Sequence, residues 1–468
     1  MLLSNAASPP TTPSSWRSPG RWTRRSLRST AGSSMVLPMW LCARAPSSTR
    51  RSLPAGHTRP VPDPTRRYDD AMSTPAAADD FALAQGATPL AAIIDADIAA
   101  AGGRITFARF MELALGHREH GYYARPGLAW GRDGDYETSP EVHPVFGYLW
   151  ARQVAECWER LGSPQAFDLV EPGAGSGAFM ASMLDWLRAR APKCHEAARV
   201  TVLDGHPRRV EEQRAAVAER GHEVRAALFA DWLAEPEPIE GVVISNELFD
   251  AFPVHLVERR GDELREWYVV ASDGGLRLEI GEASTPDLAA YFGRLGIELG
   301  DGCRAEVGLA AVDAMRALAA RVRRGYILTI DYGYEAERLY APWRRMGTLM
   351  AFRDHSPQPD PLAHPGLTDL TAHVDLTSLT AAAIESGFAA APSVSQTEAL
   401  IALGIGDQLE SARTPAASDH APNTTAPPAS DTLDDPAGRG RVRVVVMGRG
   451  VELDGLACLQ RIEAGGED

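Results

Sequence analysis

Residues 167–177 read FDLVEPGAGSG, and no other stretch of the chain restricts its possible folds so tightly. An apolar run reaches Glu171, and Gly173, Gly175 and Gly177 follow at alternate positions. Glycines at such points supply backbone that turns with positive φ or lies against a ligand with no Cβ in the way. Phe179, Met180, Met183, Leu184 and Leu187 then recur at helical spacing, so the turn opens an amphipathic helix. Strand, glycine turn and helix make the first unit of a Rossmann-like α/β sheet with a nucleotide-type ligand at the turn.

The spacing bears on which ligand. A NAD site needs G-x-G-x-x-G so that a helix N-terminus can receive a pyrophosphate. Here the form is E-x-G-x-G-x-G. S-adenosyl-L-methionine (SAM) carries no phosphate but has a sulfonium and an amino-acid tail, which a carboxylate suits better. NAD and a merely structural turn are the competing readings of the bare motif. The next run, RVTVLD at 199–204, ends in Asp204, where an acid can accept from ribose hydroxyls or simply cap a turn. Val242-Val243-Ile244-Ser245 leads into Asn246-Glu247-Leu248-Phe249-Asp250-Ala251-Phe252-Pro253, and Tyr326–Ile330 leads into Asp331-Tyr332-Gly333. Polar residues thus gather at the C-terminal ends of strands, the edge where open α/β sheets bind ligands.

Taken together, GDYETSPEVHPVFG (134–147), LVEPGAGSGAFM (169–180), SNELFDAFPVH (245–255), IDYGY (330–334) and DPLAHPGLTDLTAHVD (360–375) resemble, in that order, segments of the MidA-like family of class I SAM-dependent methyltransferases. The similarity runs from about Ile105 to the strand near Val451. That family includes the mitochondrial enzyme that methylates an arginine on a subunit of respiratory complex I. The resemblance implies a mostly parallel twisted sheet with helices on both faces, an N-terminal helical segment and an inserted β-rich substrate subdomain. It implies SAM as methyl donor, a protein acceptor with an accessible arginine, and room for a homodimer.

Charge separates the chain into two parts. Residues 1–72 hold eleven arginines against Asp63, Asp69 and Asp70, a local +8 in a chain of net −15, so the remainder carries −23. An acidic surface repels nucleic acid and attracts a basic protein segment, although solubility alone also explains it. The arginine-rich start reads as a mitochondrial transit peptide or as a mis-called extension upstream of Met72. The second is favoured because Lys193 is the only lysine, as in a GC-rich genome. A bacterial cytoplasmic protein is then expected, with the mitochondrial matrix as the alternative. Five scattered cysteines show neither metal spacing nor a disulfide framework. No stretch of about twenty uninterrupted apolar residues suggests a membrane span.

The expected organisation follows. Residues 1–72 are disordered, and 73–160 form helices, among them Ile93–Ala101 and Phe107–Leu115 with Thr106 as cap. Another helix starts at Thr138-Ser139-Pro140-Glu141 and runs to about Arg160 beside the glycine turn. The methyltransferase core spans 161–411 with hairpins at 254–280, residues 412–440 are a disordered insertion, and 441–468 supply the last strand.

Candidate cofactor residues are Ser139, Glu171, Gly173, Gly175, Gly177, Asp204, Asn246 and the pair Asp231 and Trp232, an acid for the adenine amine and an indole for its ring. By the family's N-E-x-F-D-A pattern, Glu247 and Asp250 lie beside the cofactor, where carboxylates can pair with a guanidinium fork. Acids that merely suit a helix dipole are the alternative. His373 in TAHVD matches the family's motif and is a candidate acceptor-site base or a structural hydrogen-bonding residue. Asp331 and Tyr332 are expected to line the acceptor pocket. His355, His364 and His373 with Asp360, Asp369 and Asp375 lack metal-ligand spacing, so no metal is expected. The leading function is a SAM-dependent protein arginine N-methyltransferase. A small-molecule methyltransferase of the same fold and a non-enzymatic assembly factor are the alternatives, and the intact glycine turn speaks against the latter.

Overall fold

Hydrophobic residues at consecutive strand positions require cover on both faces of a sheet, and this chain supplies it. The computed structural model describes residues 88–126, 128, 139–273, 275–354, 356–406 and 442–460. The expectations for 1–72 and 412–440, and for Thr138 and His355, lie outside the described residues. Strands β1 (Phe167–Pro172), β2 (Ala198–Asp204), β3 (Arg225–Leu228) and β4 (Ile239–Asn246) belong to the main sheet. The inserted strands are β5 (His255–Arg260), β6 (Glu263–Ser272), β7 (Gly275–Glu282) and β8 (Arg304–Val307). The main sheet resumes with β9 (Val322–Tyr334) and β10 (Val442–Arg449). Its order is β3-β2-β1-β4-β9-β10, parallel except for β10, which runs antiparallel to β9.

Side chains alternate faces along these strands. Val242 and Ile244 of β4, with Tyr326 and Leu328 of β9, face one core layer, whereas Val243 and Ile327 face the other. On the first face lie α3 (Val145–Arg160) and α4 (Ala178–Arg190); on the second lie α6 (Leu309–Arg321) and α7 (Leu376–Glu385). The order reverses at β1, whose neighbours are β2 and β4, and this switch point opens a crevice at the strands' C-terminal ends.

The N-terminal segment contributes α1 (Pro89–Ala100) and α2 (Phe107–Gly116), with Thr106 accepting from the Arg109 backbone N–H at 3.1 Å as the cap. The helix expected from Thr138 to Arg160 is instead two pieces, Ser139–Val142 and α3. Pro144 separates them, because a proline disfavours helical backbone in the residue before it. The hairpins expected at 254–280 are β5 to β7, completed by β8 and by Ile105–Thr106 into a five-stranded antiparallel sheet. Its inner face, with Leu256 and Val269, packs on α1 and α2 in a third core. Among the described residues, no helix is long and apolar enough to cross a membrane.

Candidate active site

The glycine turn leaves β1 at the crevice. Gly173, Gly175 and Gly177 have φ of +72°, +55° and +83°, in the left-handed region where L side chains are strained. A Cβ on Gly173 would lie 2.8 Å from Leu248 Cδ1, so the turn also needs the space. Gly177 caps α4 and packs against the Gln213 backbone rather than lining the crevice. The Leu203 carbonyl accepts from the N–H of Gly173 at 2.8 Å, which pins the turn to β2.

Around this turn is a cleft enclosing about 820 Å³, its open mouth included, a size suited to a small-molecule ligand. Glu171, Gly173, Gly175, Asp204, Asn246 and Glu247 line it, with Phe229, Tyr123 and Glu141. Asp204 accepts from the His206 N–H at 2.9 Å and from Gln213 Nε2 at 2.7 Å, and the same Gln213 nitrogen donates to the Gly175 carbonyl at 3.1 Å. Gln213, on α5 (Pro207–Glu219), thereby fixes acid and glycine turn together. Glu171 is 2 % exposed, and burial, aided by the charge of Glu141, pushes its carboxyl up to about 8 against the pull of the Met180 N–H.

Two expectations are corrected here. Ser139 is fully buried but exchanges hydrogen bonds with Gln396 outside the cleft, while its neighbours Pro140 and Glu141 line it, Glu141 receiving the Ser176 hydroxyl. Asp231 and Trp232 do not line it either: β3 ends at Leu228, and the short helix Phe229–Leu233 turns only Phe229 toward the crevice. Asp231 points to solvent, and Trp232 sits in the core under the Arg321 guanidinium, 4.5 Å from its ring.

A second cavity adjoins the first through Tyr123, Glu247 and Ala251, which line both. Its other walls include Asp250, Asp369, Tyr332, His373, Met350 and Phe352. Asp250 accepts from the Thr371 hydroxyl at 2.9 Å, and burial raises its carboxyl to about 6. His373 stacks parallel to Tyr332 and meets Tyr334 edge-on at 5.3 Å. Asn246 Nδ2 donates to Glu247 Oε1 at 3.1 Å. Glu247 has φ +49°, a strained conformation for a residue with a side chain.

Asp331 differs from expectation. It is fully buried beneath the 246–251 loop instead of lining a cavity, and its carboxylate accepts from the N–H groups of Leu248 (3.1 Å), Phe249 (2.8 Å) and Tyr332 (2.8 Å). The strained Glu247 is therefore held from below. Tyr123 and its tether, in which Arg209 Nε donates to the Tyr123 carbonyl at 3.1 Å, carried no local signal in the sequence.

SAM fits the first cleft on the structure's own terms. Among the described residues, Glu171 Oε2 and Asn246 Oδ1 are buried acceptors with no hydrogen-bond partner, and both residues line the cleft beside Gly173 and Gly175. Acceptors left over in this way suit the donor-rich cationic tail of SAM.

Comparison with known proteins agrees. The profile of a family described as "Putative S-adenosyl-L-methionine-dependent methyltransferase" matches residues 149–393, more than half of the chain. A Burkholderia thailandensis protein described as a "likely methyl transferase", solved bound to S-adenosyl-homocysteine, is 30 % identical with a TM-score of 0.71. The match covers 87 % of this chain and 99 % of that one. This chain belongs to the MidA-like family of SAM-dependent methyltransferases. Its sheet is that of a class I methyltransferase, as the resemblance implied. Among named MidA-like relatives, the Drosophila melanogaster "Protein arginine methyltransferase NDUFAF7 homolog, mitochondrial" is 28 % identical over 58 % of this chain and 64 % of its own length. The Xenopus tropicalis "Protein arginine methyltransferase NDUFAF7, mitochondrial" is 26 % identical over 66 % and 74 %. The chain thus spans just under two thirds of the Drosophila relative.

Proposed function

We propose that this protein transfers a methyl group from SAM to the guanidinium of an arginine on a protein acceptor. The observation that carries the reading is the pair of adjoining cavities with Glu247 in their common wall and carboxylates, Glu247, Asp250 and Asp369, on the acceptor side. Carboxylates match a guanidinium fork and concentrate electron density on one nitrogen. The names of the relatives support arginine as acceptor.

Bound SAM supplies a methyl group on a sulfonium, which is activated already. The protein's work is positioning and charge management. Glu171 and the glycine turn would hold the donor, and Asp204 would accept from its ribose hydroxyls. Glu247, oriented by Asn246, aligns the acceptor nitrogen. With the methyl group passing from the donor's sulfur to the acceptor nitrogen, Asp250 would receive the proton that the guanidinium gives up. His373, stacked on Tyr332, forms a wall of the acceptor cavity. We place the protein in a compartment with reduced thiols: Cys157, Cys194, Cys303 and Cys458 are free and buried. The mitochondrial relatives favour the matrix, and the composition favours a bacterial cytoplasm.

Incubation with methyl-labelled SAM and lysate of the source cell, followed by acid hydrolysis, tests the assignment. Label in methylated arginine is expected. Label confined to small metabolites would transfer the protein to the small-molecule methyltransferases of this fold.

A further inference from the structure

The acceptor cavity does not end at its rim. Thr348 and Met350 line it, and the chain just before them, 341–347, runs outward with large apolar groups in water: Trp343 is 75 % exposed, Met346 68 % and Met350 itself 42 %. Three such side chains on eight consecutive residues are unlike the scattered apolar residues of an ordinary surface. The same segment is basic in a protein of net charge −15: Arg338, Arg344, Arg345 and Arg353 fall within 338–353, which contains no acid. Arg345 is exposed, whereas the Arg344 guanidinium lies over the Tyr334 ring at 5.0 Å.

The segment is held, not loose. The buried Glu306 carboxylate accepts from the Thr348 N–H at 2.9 Å, the Thr348 hydroxyl at 3.0 Å and the Leu349 N–H at 3.1 Å. Arg304 N–H donates to the Arg345 carbonyl at 2.9 Å. Exposed Trp, Met and Arg are residue types that dominate interfaces, and a backbone already held at Arg345, Thr348 and Leu349 lowers the ordering cost of binding there.

We propose that Trp343, Met346 and Met350 form a docking ledge for the acceptor protein, seating an apolar and acidic stretch beside the target arginine. The inference rests on the arginine-acceptor reading above and deepens it. The acceptor's acids meet Arg345, its apolar side chains cover Trp343 and Met346, and its arginine passes Met350 toward Glu247. Continuity of the ledge with the acceptor cavity and the reversal of charge between them select this occupant. A cationic target enters an acidic hole while its acidic flank stays on a basic rim.

Short synthetic peptides with a central arginine test this on the full-length protein, with apolar and acidic residues on one flank or with serine and lysine in their place. Binding is read by fluorescence anisotropy and transfer by labelled methyl. Wild type should bind the apolar–acidic peptide roughly tenfold more tightly, a difference of about 1.4 kcal/mol. The W343S/M346S double variant should lose that preference, and R345E should reverse its charge component. Both variants should keep wild-type binding of S-adenosyl-homocysteine and wild-type turnover of a minimal arginine tripeptide. Equal peptide preference in wild type and double variant would overturn the ledge. So would a dimer in sedimentation that the double variant dissolves, since a second copy would then be the occupant. Flank preference without transfer to any arginine peptide would instead count against the arginine acceptor and leave the ledge standing.

Discussion

Single residues here combine recognisable chemistry with positions that no local pattern reveals. Glu171 was evident from its place before the glycines, but its charge state comes from burial. Its carboxyl, raised to about 8, lies above the unfolded value of about 4.3. The protonated form is therefore the one the unliganded fold favours. This stabilising contribution is complete below about pH 4.3 and is lost as pH rises through about 8. Titration of stability against pH should show this decline, and Glu171→Gln should flatten it. A bound cation favours the carboxylate, so SAM binding near pH 7 should release a proton, read as a dependence of calorimetric heat on buffer ionisation enthalpy and absent in Glu171→Gln. Glu247→Gln should keep S-adenosyl-homocysteine affinity and lose transfer; full activity of that variant would remove Glu247 from the mechanism. Asp331→Asn should cost about 1–3 kcal/mol of stability, because Asn keeps one oxygen and puts an NH2 where the other accepted, leaving at least one buried N–H without an acceptor. Because it acts through the 246–251 loop, it should lower kcat more than donor affinity, a split that steady-state kinetics with S-adenosyl-homocysteine calorimetry resolves.

At the scale of elements, regular segments were legible and their interruptions only in part. Strands β1, β2, β4 and β9, the cap at Thr106 and the hairpins of the insertion all followed from apolar runs, β-branched residues and turn residues. The break falls at Pro144, inside the single helix expected from 138 to 160. The strands β3 and the helix after it misled at one point: an acid and an indole behind a strand look like a ligand pair, yet helical geometry turned Asp231 outward and Trp232 into the core. The sheet itself contains a constraint invisible along the chain. A Cβ on Gly241 would collide with the Asp168 carbonyl on β1, and one on Gly325 with the Gly241 carbonyl. Gly241→Ala should cost about 3 kcal/mol, the upper end for overpacking a fixed backbone. Denaturant unfolding measures it, and a loss under about 0.5 kcal/mol, the range of ordinary surface changes, would contradict the collision.

For the whole molecule, the order of segments along the chain already specified a donor fold, and ligand binding should be linked to its stability. S-adenosyl-homocysteine at a hundredfold excess over its Kd should stabilise the protein by about 2.7 kcal/mol, visible as a rise in Tm that Gly173→Val abolishes by combining strain at φ +72° with contact on Leu248. By itself the sequence determined the strand–glycine turn–helix unit and the acids at strand ends, because these depend on local backbone geometry and on residue chemistry read in order, whereas SAM rather than NAD followed from the resemblance of the whole set of segments to the MidA-like family. Tertiary structure alone decided that Tyr123, Glu247 and Ala251 separate two cavities, that Asp331 braces the loop from below, and that a rigid apolar and basic ledge leads to the acceptor side. Those relations join residues up to hundreds of positions apart, and proximity of that kind is set by packing of the sheet, its helices and the inserted strands, not by any pattern along the chain.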